Sequence, residues 1–272
     1  MKSPVPYFGS KQRVARWMVS LLPEHQHYVE PFCGGLSVLL AKPPAAMETV
    51  NDLDGELMNM WQVLRDRPTE LIRACALTPH SRAELAVSHE PASDELEAAR
   101  RTWSRLAQGR SGTLRQTGWR HYIDPAGSTI GMPGYMAAYV DRLAAAAERL
   151  AGVSLECLPA LDVIGKYGAA DDVLLYVDPP YLGSTRPSSN YRCEMRHETD
   201  HRELAAALSA CKATVVLSGY PSPLYDELYD GWHRYTQQTM TGNAKTAKDR
   251  TEVIWANRVL AGQYDLFSEV PA

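Results

Sequence analysis

The chain has 272 residues, of which 45% are hydrophobic and 22% charged, with a formal net charge of -4 at pH 7. These values fit a globular protein of one large domain, or one domain with a sizeable insertion, and no apolar run approaches the roughly 20 residues a membrane helix needs. The five cysteines (Cys33, Cys75, Cys157, Cys193 and Cys211) are scattered without a CxxC pair; this excludes a disulfide framework and a structural zinc site and predicts reduced thiols in a cytoplasmic protein.

The first segment, "MKSPVPYFGSKQRVARW", has no apolar signal core, so export is not expected. "HYVEPF" (27–32) reads as a strand, and a Gly34-Gly35 turn then leads into "LSVLLAK", expected as a helix. "METVNDLD" (47–54) is a second strand. "GELMNMWQVLRD" follows it as a helix, because Leu57, Met60, Trp61 and Leu64 recur at helical spacing.

The strand–helix alternation then stops from 66 to 152. A helix over 94–108 puts Leu96, Ala99, Trp103 and Leu106 on one face and Arg101 and Arg105 on the other, which predicts an insertion with its own small core and a basic outer side. Between Arg100 and Ile123 there are six arginines and no acidic residue, and Trp103, Trp119, His121 and Tyr122 interleave with them. Arginines among aromatics on a mildly acidic chain are the footprint of a surface that meets phosphates. "WRHYIDPAGSTIG" reads as a hairpin turning at Asp124-Pro125-Ala126-Gly127, and an Ala-rich helix runs from Tyr135 to Leu150.

Alternation resumes with the strand "VSLECL" (153–158) and the helix "PALDVIGKYG". "DVLLYVDPPY" (172–181) is the most hydrophobic strand; the helix "HRELAAALSACK" and the strand "ATVVLSGY" (213–220) come next. "GWHRYTQQ" (231–238) and "TEVIWAN" (251–257) read as paired strands joined by the Lys-rich "GNAKTAKDR", either a phosphate clamp or a solvated hairpin tip. The pattern as a whole is α/β: a doubly wound, mostly parallel sheet that binds ligands at the carboxyl ends of its strands.

Two stretches carry chemistry. Glycines after the first strand allow close approach to the backbone, and Asp52 stands eighteen residues past Gly34, at the end of the next strand. An acid about 20 positions beyond a Gly turn is where a ribose diol is usually held. The turn has neither GxxxxGK[ST] nor GxGxxG, so the pair suggests an adenosine-containing cofactor without a required pyrophosphate, or else only a tight turn and a helix cap. Asp178-Pro179-Pro180-Tyr181 is more specific. The lone pair of an exocyclic amine on adenine is delocalised into the ring. A carboxylate and a backbone carbonyl that accept its N–H bonds draw it toward tetrahedral geometry, and two prolines hold those acceptors rigid. The Tyr181 ring offers an extracted base a stacking face.

The blocks "PYFGSK" (6–11), "EPFCGG" (30–35), "NDLDGELMN" (51–59), "YVDPPYLGSTR" (176–186), "VVLSGY" (215–220) and "RTEVIWAN" (250–257) occur in an order that resembles DNA adenine-N6 methyltransferases of the Dam-like D12 class, nearly end to end. With the cofactor half first, then an insertion, then DPPY, the order is that of the alpha arrangement. The resemblance implies a seven-stranded sheet of the class I methyltransferase type over 1–65 and 153–260, a mainly helical target-recognition region inserted at 66–152, and a tail at 261–272. It implies S-adenosylmethionine as cofactor, held by Tyr7, Lys11, Glu30, Phe32, Gly34, Gly35, Asp52 and Asp178. It makes Asp178, Pro179, Pro180 and Tyr181 the catalytic group for methylating N6 of an adenine flipped out of duplex DNA. Arg101, Arg105, Arg110, Arg115 and Arg120 in the insertion, with Arg186, Lys245 and Lys248, are the expected DNA contacts.

The chain departs from the family in three places. Its Gly turn reads Phe32-Cys33-Gly34-Gly35-Leu36 where relatives often have F-x-G-x-G. Pro159 stands about where many relatives carry an acid that reads the cofactor's adenine, with Asp162 a weak substitute. "RLAQGRSGTLRQTGWRHY" does not closely match the GATC-reading segment of Dam, so GATC is not implied as target. Methylation of RNA adenine and a non-catalytic DNA-binding phage regulator are the alternative functions; Asp178 in place of Asn argues for DNA, and the intact DPPY and Gly turn for catalysis.

His197 and His201, four apart in "HETDHREL", lack a third ligand, so helix capping by Thr199 or Asp200 is expected there and no metal site is assigned. Ser218-Gly219-Tyr220 ends a strand beside the target-base edge in this fold. Gln263-Tyr264-Asp265-Leu266-Phe267 resembles the peptide that bacterial sliding clamps bind; Leu266 and Phe267 either dock on such a clamp or pack back on the protein's own core. The expected setting is a bacterial or phage-encoded monomer or weak dimer, within or outside a restriction-modification pair.

Overall fold

A computed structural model describes residues 1–123, 130–182, 191–241 and 248–260. Seven strands form one sheet in the order β3-β2-β1-β4-β5-β7-β6. In chain order they are β1 (His27–Glu30), β2 (Met47–Asn51), β3 (Ser154–Glu156), β4 (Val173–Val177), β5 (Thr214–Gly219), β6 (His233–Thr241) and β7 (Lys248–Ala256). The first five are parallel to one another, while β7 runs antiparallel to both β5 and β6. This mixed seven-stranded sheet with helices on both faces agrees with the seven-stranded sheet expected from the sequence. The winding reverses at β1, which pairs β2 on one side and β4 on the other. The carboxyl ends of β1 and β4 therefore lie side by side with a crevice above them.

Alternation along the strands builds two cores. Tyr28, Leu174, Tyr176, Val216 and Ile254 enter one. Val29, Leu175, Val177, Val215, Leu217 and Trp255 enter the other. The first is covered by α1 (Ala15–Leu21), α2 (Gly55–Asp66) and the inserted helices α3 (Pro68–Ala76), α5 (Glu95–Gln108), α6 (Gly131–Val140) and α7 (Leu143–Leu150), while α4 (Arg82–Val87) packs on α5. The second lies under α8 (Ala160–Tyr167), α9 (Glu198–Ser209) and α10 (Pro223–Leu228). Among the described residues no helix is long and apolar enough to cross a membrane.

α2 forms as its spacing predicts. Asp54 caps it by accepting from the Glu56 N–H at 3.1 Å, and Leu57, Met60, Trp61 and Leu64 are buried. Each such side chain contributes roughly 1.5–3 kcal/mol by leaving water.

Several expectations are corrected. "LSVLLAK" is a succession of turns, not a helix. Leu36 has φ 57, and the Leu39 N–H donates to the buried carboxylate of Glu30 at 2.8 Å instead of to a helical carbonyl. The helix expected over 135–150 is two, α6 and α7, separated at Asp141-Arg142, where Arg142 donates to the Ser3 carbonyl at 3.2 Å. The insertion does not enclose a core of its own: Trp103, Leu106, Leu71 and Leu143 belong to the same apolar cluster as Trp61, Leu64 and Tyr28. A five-helix insertion this thin buries its apolar stripe against α2. Helices α1, α3, α4 and α10 went unread, although Ser81-Arg82-Ala83-Glu84 is a capping signature and Ser81 Oγ accepts from the Glu84 N–H at 3.0 Å. Trp119, at the start of the expected hairpin, pairs in an isolated bridge with Gly109 from outside it; the hairpin's turn at 124–127, the tip of the β6–β7 loop and the clamp-like segment Gln263–Phe267 lie outside the described residues.

Candidate active site

β4 is buried along its length and ends where Pro179 and Pro180 cannot extend the ladder, which turns Asp178 into the crevice. Asp178 is met there by Lys11 from the amino-terminal segment, whose Nζ lies 3.0 Å from Oδ1. The same ammonium lies 3.2 Å from Glu252 Oε1 on β7. It also donates to the Tyr181 hydroxyl, which is 3.1 Å from Asp178 Oδ1 and 2.9 Å from Glu252 Oε1. Ser218 Oγ, on β5, donates to Glu252 Oε1 at 2.9 Å. Burial raises Asp178 above the usual carboxylate range, opposed by the Lys11 ammonium and reinforced by Glu252. Burial would lower Lys11, but Asp178 and Glu252 outweigh it and hold the amine above its ordinary value, so it stays charged.

The second half of the site is built by the turn after β1. The Cys33 N–H donates to the Asn51 carbonyl at 2.8 Å, and Asn51 Nδ2 reaches the carbonyls of Pro31 at 2.9 Å and Leu158 at 3.0 Å. Asn51 thus ties the ends of β1, β2 and β3 together. Asp52 then accepts the Gly34 N–H at Oδ2 and the Asp54 N–H at Oδ1, each at 3.0 Å. Gly34 has φ 44, and a Cβ on it or on Gly35 would come within 2.8 Å of the Tyr7 side chain. Glycine is required here because Tyr7 packs onto the turn, not only because a ligand approaches. Burial pushes Asp52 up to about 6 and Glu30 up to about 8. Burial, and then the charge of Asp52, raise the Tyr7 phenol well above its ordinary value.

These two halves face one cavity of about 290 Å³, near the lower end of the range for small-molecule pockets, roughly 300–1,000 Å³. All eight residues expected to hold a cofactor line it: Tyr7, Lys11, Glu30, Phe32, Gly34, Gly35, Asp52 and Asp178. Pro180 lines it too. Tyr181 and Pro179 do not: the Tyr181 ring is 9% exposed and meets the Tyr220 ring edge-on at 4.6 Å. Pro159 and Leu161 form part of the wall and Asp162 does not. Cys193, Tyr191 and Arg192 complete it, and Arg192 pairs with Glu56 at 2.6 Å.

Glu252 and Asn51 were not read from the sequence. Each had a signal: an acid and an amide set into apolar strands that the sheet buries on both faces.

The arginines separate into two groups. Arg105 is buried and donates to Glu56 and to Thr102. Arg101 donates to Glu97 at 2.6 Å and to the Glu90 and Pro91 carbonyls. Arg100 pairs with Glu97 and Glu84. Acids from other helical positions thus match the charge of a stretch that holds none. Arg110 and Arg115 are exposed, and Arg120 is half-buried with its guanidinium 5.4 Å from the Tyr135 ring. Arg186 and Lys245 lie outside the described residues, as does the side chain of Lys248. No cluster of metal-ligating side chains occurs among the described residues. His201 is buried between the Met195 carbonyl at 2.9 Å and the Tyr225 hydroxyl at 3.0 Å, and Asp200 accepts the His197 N–H at 3.1 Å as a helix cap.

The family model described as D12 class N6 adenine-specific DNA methyltransferase matches residues 7–99 and 136–243. The Type II methyltransferase M1.LlaDCHI of Lactococcus lactis subsp. cremoris is 27% identical over 271 residues, covering 92% of this chain and 93% of that protein. Among solved structures, precorrin-6y C5,15-methyltransferase from Geobacter metallireducens is 11% identical with a TM-score of 0.38, covering 94% of this chain and 98% of that one. The rRNA methyltransferase aviRa from Streptomyces viridochromogenes is 14% identical with a TM-score of 0.34, covering 94% and 86%.

Proposed function

The chain belongs to the D12 class N6 adenine-specific DNA methyltransferase family, and from that premise we propose how its residues divide the work of methylating adenine in DNA. The cavity takes S-adenosylmethionine. Asp52 would receive the ribose hydroxyls, the Gly34-Gly35 turn and Phe32 would flank the nucleoside, and Tyr7 would offer the sulfonium an aromatic face, which favours a cation. The donor set fits that group: a buried carboxylate beside apolar walls, while the cations on the described lining, Lys11 and Arg192, are both paired with acids. When bound, the cofactor supplies an electrophilic methyl group.

Asp178 acts on the target amine. No described residue donates to its Oδ2, while Lys11 and Tyr181 both take Oδ1. One N–H of adenine N6 donates to Oδ2, and the other to a backbone carbonyl of the rigid Asp178–Pro180 stretch. Held this way, the nitrogen presents its lone pair to the methyl. When N6 takes the methyl group, Asp178 would accept the proton that the nitrogen gives up. The adenine reaches this depth only after leaving the duplex, at a cost of a few kcal/mol of stacking. Exposed Arg110 and Arg115 and half-buried Arg120 are the insertion's contacts to DNA.

The observation that carries this reading is the placement of Asp178, with one oxygen saturated, on the cavity that Asp52 and the Gly turn also line. The test is transfer of labelled methyl to unmethylated duplex DNA, with RNA as the control and N6-methyladenine identified in the product. Asp178→Ala is expected to lose turnover by about 10³-fold or more with cofactor affinity little changed. Near-normal turnover in that variant removes the mechanism.

A further inference from the structure

Glu252 is 5% exposed on β7 and has no part in the reading above. Its Oε1 gathers three donors: the Tyr181 hydroxyl at 2.9 Å, Ser218 Oγ at 2.9 Å and the Lys11 ammonium at 3.2 Å. Two of these, Lys11 and Tyr181, also reach Asp178 Oδ1, at 3.0 and 3.1 Å. Glu252 and Asp178 therefore compete for one ammonium and one hydroxyl.

We propose that Glu252 is a positioning residue for Asp178, engaging Lys11 and Tyr181 so that neither closes on Oδ2, the oxygen left for the target amine. The inference rests on the assignment of Asp178 as the acceptor of that amine.

The hydrogen count carries the argument. An ammonium has three protons, and those of Lys11 are shared among Asp178 Oδ1, Glu252 Oε1, the Tyr181 oxygen and, more distantly at 3.5 Å, the Gly9 carbonyl. Tyr181 has one, and Glu252 is its nearer carboxylate. Ser218 gives its proton to Glu252. Without Glu252, protons on all three groups lose an acceptor in a buried site, where an unmet donor is costly. Asp178 is the carboxylate within reach, so the freed donors close on it and occupy the amine's place. Charge acts in the same direction. Two carboxylates and one ammonium leave the cluster with one net negative charge, which complements the positive charge that methylation develops on the nitrogen.

The groups that face Asp178 are Lys11 from the amino-terminal segment, Glu252 from β7, Glu30 from β1, Tyr176 from β4, and Tyr181. Asp178 must be ionised to accept the amine, so turnover rises with pH through its titration. Glu252 raises that titration by repulsion. Removing its charge moves the acid limb of the pH profile to lower pH.

The experiment measures labelled methyl transfer from S-adenosylmethionine to plasmid DNA from a methylation-deficient host, from pH 5 to 9, with wild type, Glu252→Gln and Asp178→Asn. For Glu252→Gln, kcat is expected to fall about 10- to 100-fold near neutral pH. Its acid limb should shift down by about one pH unit, with KM for S-adenosylmethionine within about threefold. A purely structural role would leave the limb in place. An unmoved limb, or a kcat equal to wild type, overturns the inference. Should Glu252→Gln fail to fold by circular dichroism, Glu252→Asp carries the test: it keeps the charge but draws the carboxylate back from Lys11 and Tyr181, so kcat should fall, and a kcat equal to wild type overturns the inference equally. An Asp178→Asn variant that keeps the wild-type limb and rate sinks the assignment of Asp178 itself. An inactive Asp178→Asn beside an unaltered Glu252→Gln sinks only the role of Glu252.

Discussion

Gly34 donates its backbone N–H to Asp52 Oδ2 at 3.0 Å, so the turn after β1 and the acid after β2 act as one unit. Burial pushes Asp52 up to about 6. Hydroxyl donors on a ribose favour the ionised carboxylate, so affinity for S-adenosylmethionine should be highest above pH 6 and fall as pH is lowered through that value. Asp52→Asn should weaken binding by about tenfold or more, the scale of one hydrogen bond to a charged group, and abolish the pH dependence. Calorimetric titration at a series of pH values checks both.

Glu30 gives a stability signature of the empty protein. Its carboxyl, buried against Tyr28 and the Leu39 N–H, titrates at about 8 instead of 4.5. Between those values the folded chain holds a proton that the unfolded chain has lost. Stability from this group is therefore full at low pH and declines as pH rises toward 8, by at most about 1.4 kcal/mol per unit. Glu30→Gln should flatten the decline, leaving the smaller contribution of Asp52, which has the same sign. Thermal unfolding from pH 5 to 9 measures it.

Lys11 is the shared counter-charge of two buried carboxylates. Lys11→Met leaves both unpaired and should destabilise the fold by about 3–5 kcal/mol. The ammonium lowers Asp178, so the acid limb of turnover should move to higher pH in any folded fraction, opposite to the shift expected for Glu252→Gln. Denaturant titration and the pH–rate profile check the two effects.

Arg105 and Arg115 should behave differently although both lie in one basic stretch. Arg105 is buried, but its partner Glu56 is 42% exposed and is also held by Arg192, so Arg105→Ala should cost about 1–2 kcal/mol of stability through lost packing and hydrogen bonds. Exposed Arg115 should cost little stability when changed to Ala. That variant should weaken DNA binding uniformly and reduce the salt slope by about one if Arg115 meets a phosphate, or relax sequence preference if it meets a base edge. Unfolding curves and DNA binding at several salt concentrations separate the cases.

Read by itself, the sequence determined what local chemistry dictates. The apolar run from Val173 to Val177 broken by Asp178-Pro179-Pro180 states a buried strand, its end and the carboxylate delivered there within eight residues. Gly34 and Asp52, eighteen residues apart, mark successive strand ends of a wound sheet in the same local way. Those signals sufficed for the sheet and for Gly34, Asp52 and Asp178, while Tyr7, Lys11, Glu30 and Phe32 were expected only through the resemblance to a family. Tertiary structure alone decided who neutralises whom. Lys11, Ser218 and Glu252 meet beside Asp178 because the sheet places β5 next to β4 and β7 next to β5, and the amino-terminal segment brings Lys11 to the same end. Arg105 turns inward because Glu56 waits on α2. Electrostatic pairing depends on distance in space, and short-range patterning carries no record of which distant acid will fold against which base.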